Sequence, residues 1–180
     1  MKIKSLLILL SCVFAFNAKA QFYTIGIGPE VNFPSGNSSN ISGIGGGAAI
    51  KAEVGLSQKF GVTINGGVTQ FVGKRYFNIR IPSETSVPLK GGLKYYGSEN
   101  FYVEGQVGAN IPISGSANKG FVWSPGVGTY LKMRNSDNLL DIGLRYEGWS
   151  SRRTISANNA TFSTFNFVGI RFAYVFNLQK

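Results

Sequence analysis

No histidine occurs anywhere in the 180 residues. Ser–His–acid catalysis and histidine-ligated metal are thereby excluded. Cysteine is almost as scarce, for its one copy, Cys12, lies inside an apolar N-terminal run. Acid is short too: 8 Asp and Glu stand against 18 Lys and Arg, a formal net charge of +10. No apolar run approaches the ~20 residues of a membrane-spanning helix. No segment of the chain after residue 20 keeps a helical period, and no low-complexity linker divides it. The length suits one domain with a real core.

The N-terminus, MKIKSLLILLSCVFAFNAKA, has Lys2 and Lys4, an apolar run from Leu6 to Phe16, and then Ala18-Lys19-Ala20. This is the pattern of a secretory signal peptide over 1–20, cut after Ala18-x-Ala20, with residues 21–180 as the mature domain. Cys12 in LLSC offers a lipoprotein reading instead, but the apolar run continues past it toward the better site. Cleavage after Ala20 leaves a mature chain without cysteine, so neither a disulfide nor a Cys-bound metal is expected. Loss of Lys2, Lys4 and Lys19 lowers the formal charge from +10 to +7. That charge suits anionic lipid headgroups as well as nucleic acid; export argues against nucleic acid.

What remains is alternation. In LLDIGLRYEGW (139–149), Leu140, Ile142, Leu144 and Tyr146 take turns with Asp141, Gly143, Arg145 and Glu147. Successive side chains of a strand point opposite ways, so these two sets face different surroundings. Eight such segments follow one another, roughly 22–33, 44–54, 60–71, 87–96, 101–113, 121–133, 139–149 and 165–176. Each is near the ~9–11 residues of a tilted transmembrane strand. Their connections alternate between long (34–43, 72–86, 114–120, 150–164) and tight (LSQKF, GSEN, RNSDN). Long loops on one rim and tight turns on the other predict an all-β, eight-stranded, antiparallel, up-and-down barrel in the outer membrane. Both termini then belong on the tight-turn, periplasmic side.

One face of every segment lacks charge. The other holds Glu30, Lys51, Glu53, Lys90, Lys94, Glu104, Lys132, Asp141, Arg145, Glu147 and Arg171, joined by Asn65, Gln106 and Asn110. A soluble barrel of the lipocalin kind is oily inside and charged outside. Here five acids and six bases nearly balance, so they can pair in a narrow interior, whereas against lipid each costs roughly 2–4 kcal/mol at mid-depth. The oily face is expected to meet lipid and the charged face to line the lumen. Arg145 is expected to pair there with Glu104 and Glu147. Aromatics of the oily face gather near strand ends, with Tyr23, Phe60, Tyr95, Phe101 and Phe176 on one rim and Phe33, Phe121 and Trp123 on the other. Those are girdle positions. Inward glycines such as Gly26, Gly128 and Gly143 make room for Tyr102, Tyr130 and Trp149. Pro29, Pro88, Pro112 and Pro125 interrupt this scheme, since a closed ladder has no edge to hide a missing N–H. They are expected near the loop-side ends of their strands.

The segments VPLKGGLKYYGSENFYVEGQVG (87–108), WSPGVGTYLKM (123–133), LLDIGLRYEGW (139–149) and FVGIRFAYVF (167–176) resemble small outer-membrane β-barrel proteins of Bacteroidetes-type bacteria. With GIGGGAAIKAEVGLSQKFGVTINGG (43–67) the likeness covers most of the mature chain. This "outer membrane protein beta-barrel domain" group is similar in shape to the OmpA transmembrane domain, and the motifs are loose ones of glycine, aromatic and charge. The resemblance implies insertion by the barrel-assembly machinery with help from periplasmic chaperones. The chain departs from the pattern at its end, where Asn-Leu-Gln-Lys follows Phe176.

No catalytic, cofactor-binding or metal-binding residue is indicated, and no enzymatic role or cofactor is expected. Glu104 and Glu147 have the chemistry for acid–base work, but filling the lumen with ion pairs accounts for them. GIGGGAAI (43–50) imitates a dinucleotide-binding run without the helix such a site needs. The long loops are basic: Lys74, Arg75, Arg80, Lys119, Arg152 and Arg153 face one acid, Glu84. A structural or interaction role is expected, for a monomer whose loops contact lipopolysaccharide or another anionic surface. The alternative is a narrow channel or carrier for small solutes, hydrophobic ones included. Eight strands leave an interior just wide enough for side chains or one small ligand.

Overall fold

The computed structural model describes residues 22–178, except 77–78, 81, 116–118, 135 and 157–158. The side chains of 76, 79–80, 152–156 and 159–162 are likewise outside the description. The expected cleavage residues Ala18 and Ala20, and the side chains of Arg80, Arg152 and Arg153, therefore lie outside the described residues.

All eight alternating segments form strands: β1 (Phe22–Pro34), β2 (Ser42–Gly55), β3 (Phe60–Gly73), β4 (Glu84–Tyr96), β5 (Phe101–Ser114), β6 (Gly120–Lys132), β7 (Leu139–Ser156) and β8 (Asn159–Asn177). Each pairs antiparallel with the next, and β8 returns to β1 (Ile27 opposite Tyr174, Phe33 opposite Val168), closing the barrel. The order is up-and-down throughout, as the alternation of long and tight connections requires.

The two faces settle the surroundings. Leu93 is 68% exposed and Lys94, its neighbour in sequence, 0%. Ile64 is 69% exposed, while Asp141 and Glu147 are each 0%. Such an inside-out protein is stable only if its outer wall meets hydrocarbon, because bare apolar surface in water costs ~25 cal/mol per Å². The barrel is built to span a bilayer. Outward aromatics gather at both ends, where Phe60 lies 5.3 Å from Tyr95, Tyr174 4.7 Å from Phe176 and Trp123 5.7 Å from Tyr146.

On the tight-turn rim, Leu56 N–H donates to the Phe60 carbonyl (2.9 Å) and Gly97 N–H to that of Phe101 (3.1 Å). The other rim differs from expectation in three places, one of them the 72–86 connection, where 75–76 and 79–80 pair as a short ribbon. Loop 34–43 contains a helical turn, α1 (Ser38–Ile41), tied down by Asn166 N–H donating to Ser38 Oγ at 2.9 Å. Segment 150–164 is no loop. The β7–β8 ladder runs on through Ser151 opposite Ser163 to Ser156 opposite Asn159, a hairpin rising past the barrel. The oily alternation ends where the membrane does, since both faces of the hairpin lie beyond the wall. Its Thr, Ile and Phe still favour a strand.

The prolines also depart from expectation, for Pro29 and Pro125 are mid-strand. Beside Pro29, Pro88 and Pro125 the ladder loses two residue pairs on one side and resumes in unchanged register. Pro112 instead adjoins a register shift at Thr85/Ser86, closer to the loop end.

Candidate functional site

The inward residues of the eight strands stack in layers, beginning at the loop end with an oily one. Phe71, Val122, Trp149 and Phe167 are buried together, with Phe165 packed against them. Phe71 has Trp149 at 5.6 Å and Phe167 at 5.1 Å, both edge-on. This aromatic plug closes the lumen at that end.

Beneath it comes the first charged layer. Arg145 grips Glu30 with both guanidinium arms, Nη1 donating to Oε1 at 2.9 Å and Nη2 to Oε2 at 2.8 Å. Its Nε donates to Glu147 at 2.9 Å, and Nη2 reaches Asn32 at 3.2 Å. Glu147 also accepts from Lys90 Nζ (2.6 Å) and from the indole of Trp149 (2.7 Å), which joins this layer to the plug.

A second charged layer lies nearer the tight turns. Lys51 donates to Glu104 at 3.0 Å, and Glu104 also accepts from Thr63 (2.6 Å) and Gln106 (2.9 Å). Asp141 accepts from Arg171 and, at 2.6 Å, from the Tyr102 hydroxyl. Lys94 donates to Glu53 at 2.5 Å and to Tyr130 at 2.6 Å, with its ammonium 4.1 Å from the Tyr102 ring centre. Tyr102, Tyr130 and Val175 then form a second oily layer with Tyr96 and Leu139. Gly128 makes this packing possible: a Cβ there would stand 2.3 Å from the Tyr102 hydroxyl.

Of the residues expected in the lumen, Lys51, Glu53, Lys90, Lys94, Glu104, Asp141, Arg145, Glu147 and Arg171 all point inward and are paired. Lys132 does not join them. It occupies the last position of β6, opposite Leu139 in the final rung at the tight-turn rim, and is exposed. Arg145 meets Glu147, but Glu104 belongs to Lys51 on the opposite wall, and the missed partner of Arg145 is Glu30. With Lys132 outside, five acids and five bases remain, and the interior is electrically neutral.

Polar order runs across the lumen more than along the wall. Lys94 and Glu104 are register partners on β4 and β5, yet each finds its counter-ion elsewhere. Between the charged layers a cavity of about 30 Å³ remains, lined by Asn65, Ser124 and Arg145 among others. That is room for one or two waters, and among the described residues the lumen shows no wider continuous space between its charged layers. At the tight-turn mouth a wider recess of about 710 Å³ is lined by Phe22, Tyr96, Tyr130 and Leu139.

Lys74, Arg75 and Lys119 are exposed on the loop rim, and Lys74 Nζ donates to the Ser39 carbonyl at 2.6 Å. Arg75 and Arg80 occupy facing positions in a two-residue ribbon.

No protein-family model and no curated sequence matches the chain. Solved structures do match. The outer membrane protein OprG from Pseudomonas aeruginosa is similar over 90% of this chain and 98% of its own, with a TM-score of 0.60 and 13% identity. Neisserial surface protein A (NspA) is similar over 85% of this chain and 94% of its own, at 0.54 and 12%. Ail, the attachment invasion locus protein of Yersinia pestis, is similar over 86% and 97%, at 0.52 and 15%. Ail has also been solved with the heparin analogue sucrose octasulfate. At these identities the likeness is one of fold, the small eight-stranded barrel of outer-membrane proteins.

Proposed function

We propose that the chain is an outer-membrane interaction protein whose long-loop rim holds anionic surfaces, the phosphates and carboxylates of neighbouring lipopolysaccharide before others. The tight turns and both termini then face the periplasm. The Gly–aromatic–charge segments keep it, in this reading, with the Bacteroidetes-type barrels, inserted by the assembly machinery and acting as a monomer.

The observation that carries the reading is where the charge goes. The lumen pairs cancel, so the whole excess of +7 in a chain cut after Ala20 falls on the rims. The long-loop segments hold six bases and one acid; the tight-turn rim and C-terminus hold Lys59, Lys132, Arg134 and Lys180 against Glu99 and Asp137. The rim that faces outward in this reading therefore has an excess of +5 against +2 for the other, and a field of one sign draws polyanions. Such contacts are exposed and so are screened, the Debye length shrinking from ~10 Å at 0.1 M salt to ~3 Å at 1 M.

The test is binding of nanodisc-embedded protein to lipopolysaccharide and, separately, to heparin. Reversing Lys74, Arg75, Lys119 and Arg152 to Glu is expected to abolish lipopolysaccharide retention, and 1 M salt to do the same to the parent. Retention that survives either change refutes the reading; retention of heparin alone moves it to a glycan surface.

A further inference from the structure

Of the three places where a proline interrupts the ladder, beside Pro29, Pro88 and Pro125, the last is the one whose proline lines a groove on the lipid side. Between β6 and β7, Trp123 pairs with Gly148 and Gly126 with Arg145, but the two pairs in between are missing. Those two are the pairs that an amide hydrogen on residue 125 would support, by donating to the carbonyl opposite in the continuing register, that of Tyr146. Pro125 has no such hydrogen. The Tyr146 carbonyl is left without this donor at a depth where no bulk water can replace it, a cost that membrane proteins ordinarily avoid.

The gap lies between two cavities. On the lipid side a groove of about 380 Å³ is lined by Val103, Pro125, Val127, Leu144, Tyr146 and Val168. On the lumen side is the cavity of about 30 Å³, and Gly126, Val127, Leu144 and Arg145 line both. Tyr146, which lines the groove, is packed against Trp123, 5.7 Å between ring centres. Ser124 Oγ, on the inner face, is buried without a partner.

We propose that this seam binds a neutral single-chain amphiphile from the bilayer, its chain in the groove and its hydroxyl donating to the Tyr146 carbonyl. The groove is continuous with the lipid-facing wall, so its occupant comes from the membrane. The apolar lining asks for hydrocarbon and the orphaned carbonyl for a donor. Charge is excluded because Arg145, the ion nearest the seam, is already held by Glu30, Glu147 and Asn32. The inner cavity is too small for a chain, so the site is a seat and not a passage.

Dodecan-1-ol, dodecane and laurate serve as probes of the nanodisc-embedded protein. The readout is NMR shifts of Gly126, Val127 and Leu144 amides and of a ¹³C-labelled Tyr146 carbonyl. Dodecanol should give saturable shifts confined to these residues, with apparent affinity at least about tenfold above dodecane or laurate, a hydrogen bond's worth of ~1.4 kcal/mol. Val127→Trp, which fills the groove from a lipid-facing position, should remove saturable binding. Pro125→Ala, which restores the amide, should erase the preference for alcohol over alkane. Equal binding of the three probes, or shifts that spread over the wall without saturating, as for annular lipid, would overturn the proposal. So would dodecanol binding unchanged in Val127→Trp. Should Pro125→Ala fail to fold, the parent and Val127→Trp still decide.

Discussion

Replacing Arg145 by Met removes the cation that organises the upper charged layer. Three charge-assisted bonds are lost, two to Glu30 at 2.9 and 2.8 Å and one to Glu147 at 2.9 Å. Glu147 keeps Lys90 at 2.6 Å, but Glu30, buried at 4% exposure, loses its guanidinium partner. Breaking a buried pair from one side costs about 3–5 kcal/mol, most of it for the ion left behind. A double-mutant cycle isolates the pair. With Glu30→Gln the coupling should be about 2–3 kcal/mol, since two bonds to an ion are worth ~1.5–3 kcal/mol each and do not add in full. The Arg145–Glu104 cycle should give a clearly smaller value, because Glu104 is occupied by Lys51, Thr63 and Gln106. Reversible urea unfolding from lipid vesicles, followed by Trp149 fluorescence, measures all four corners of each cycle. Coupling to Glu104 that equals or exceeds coupling to Glu30 would show that the layers are wired otherwise.

Two further outcomes follow from the same layering. Lys94→Met should destabilise by about 3–5 kcal/mol, because Glu53 is then left buried with only the Tyr130 hydroxyl; Lys132→Met, at the exposed strand end, should stay within ~0.5 kcal/mol. Equal effects in urea unfolding would deny that the two lysines differ in surroundings. In planar bilayers the parent protein should show no discrete current steps, and Phe71→Ala, though costing about 3–5 kcal/mol for the lost ring, should show none either. Both charged layers still close the lumen below the plug. Reproducible single-channel steps in either protein would restore the channel reading.

Most of the fold was legible because a bilayer imposes a period of two on every strand it surrounds. The Leu140–Tyr146 and Asp141–Glu147 sets need no partner strand to declare which faces lipid. Legibility fails wherever that constraint lapses. Beyond Ser150 the β7–β8 hairpin leaves the wall, alternation stops, and the segment reads as a loop although the ladder continues. Lys132 keeps the inward parity of β6 but sits in the last rung, at the open rim, and parity alone does not report depth. The ion pairs fail for a different reason. Glu30 with Arg145, Lys51 with Glu104 and Lys90 with Glu147 bridge strands two or three places apart around the barrel. Those choices depend on strand stagger, which turns of four or five residues do not encode in any visible motif. Pro125 was conspicuous in the sequence, but that it silences the donor to Tyr146 emerges only from the register.

The neutrality of the lumen decides where function can reside. A barrel with unmatched interior charge would have to admit a counter-ion, and the interior would be its binding site. Here five acids and five bases satisfy one another, aromatic layers close both ends, and the cavity between the charged layers has room for no more than one or two waters. Chemistry with another molecule is therefore displaced to surfaces where the protein's own groups are not matched. One is the loop rim, where bases outnumber acids; another is the β6–β7 seam, where a carbonyl lacks its donor beside a lipid-side groove. The two demand opposite ligands, polyanions from solution and an uncharged donor from the bilayer, and they respond to opposite perturbations. Salt should weaken the first and leave the second unchanged. A seam occupancy that fell with rising salt would mean that charge reaches the wall after all, and that the pairing inside is less complete than its geometry requires.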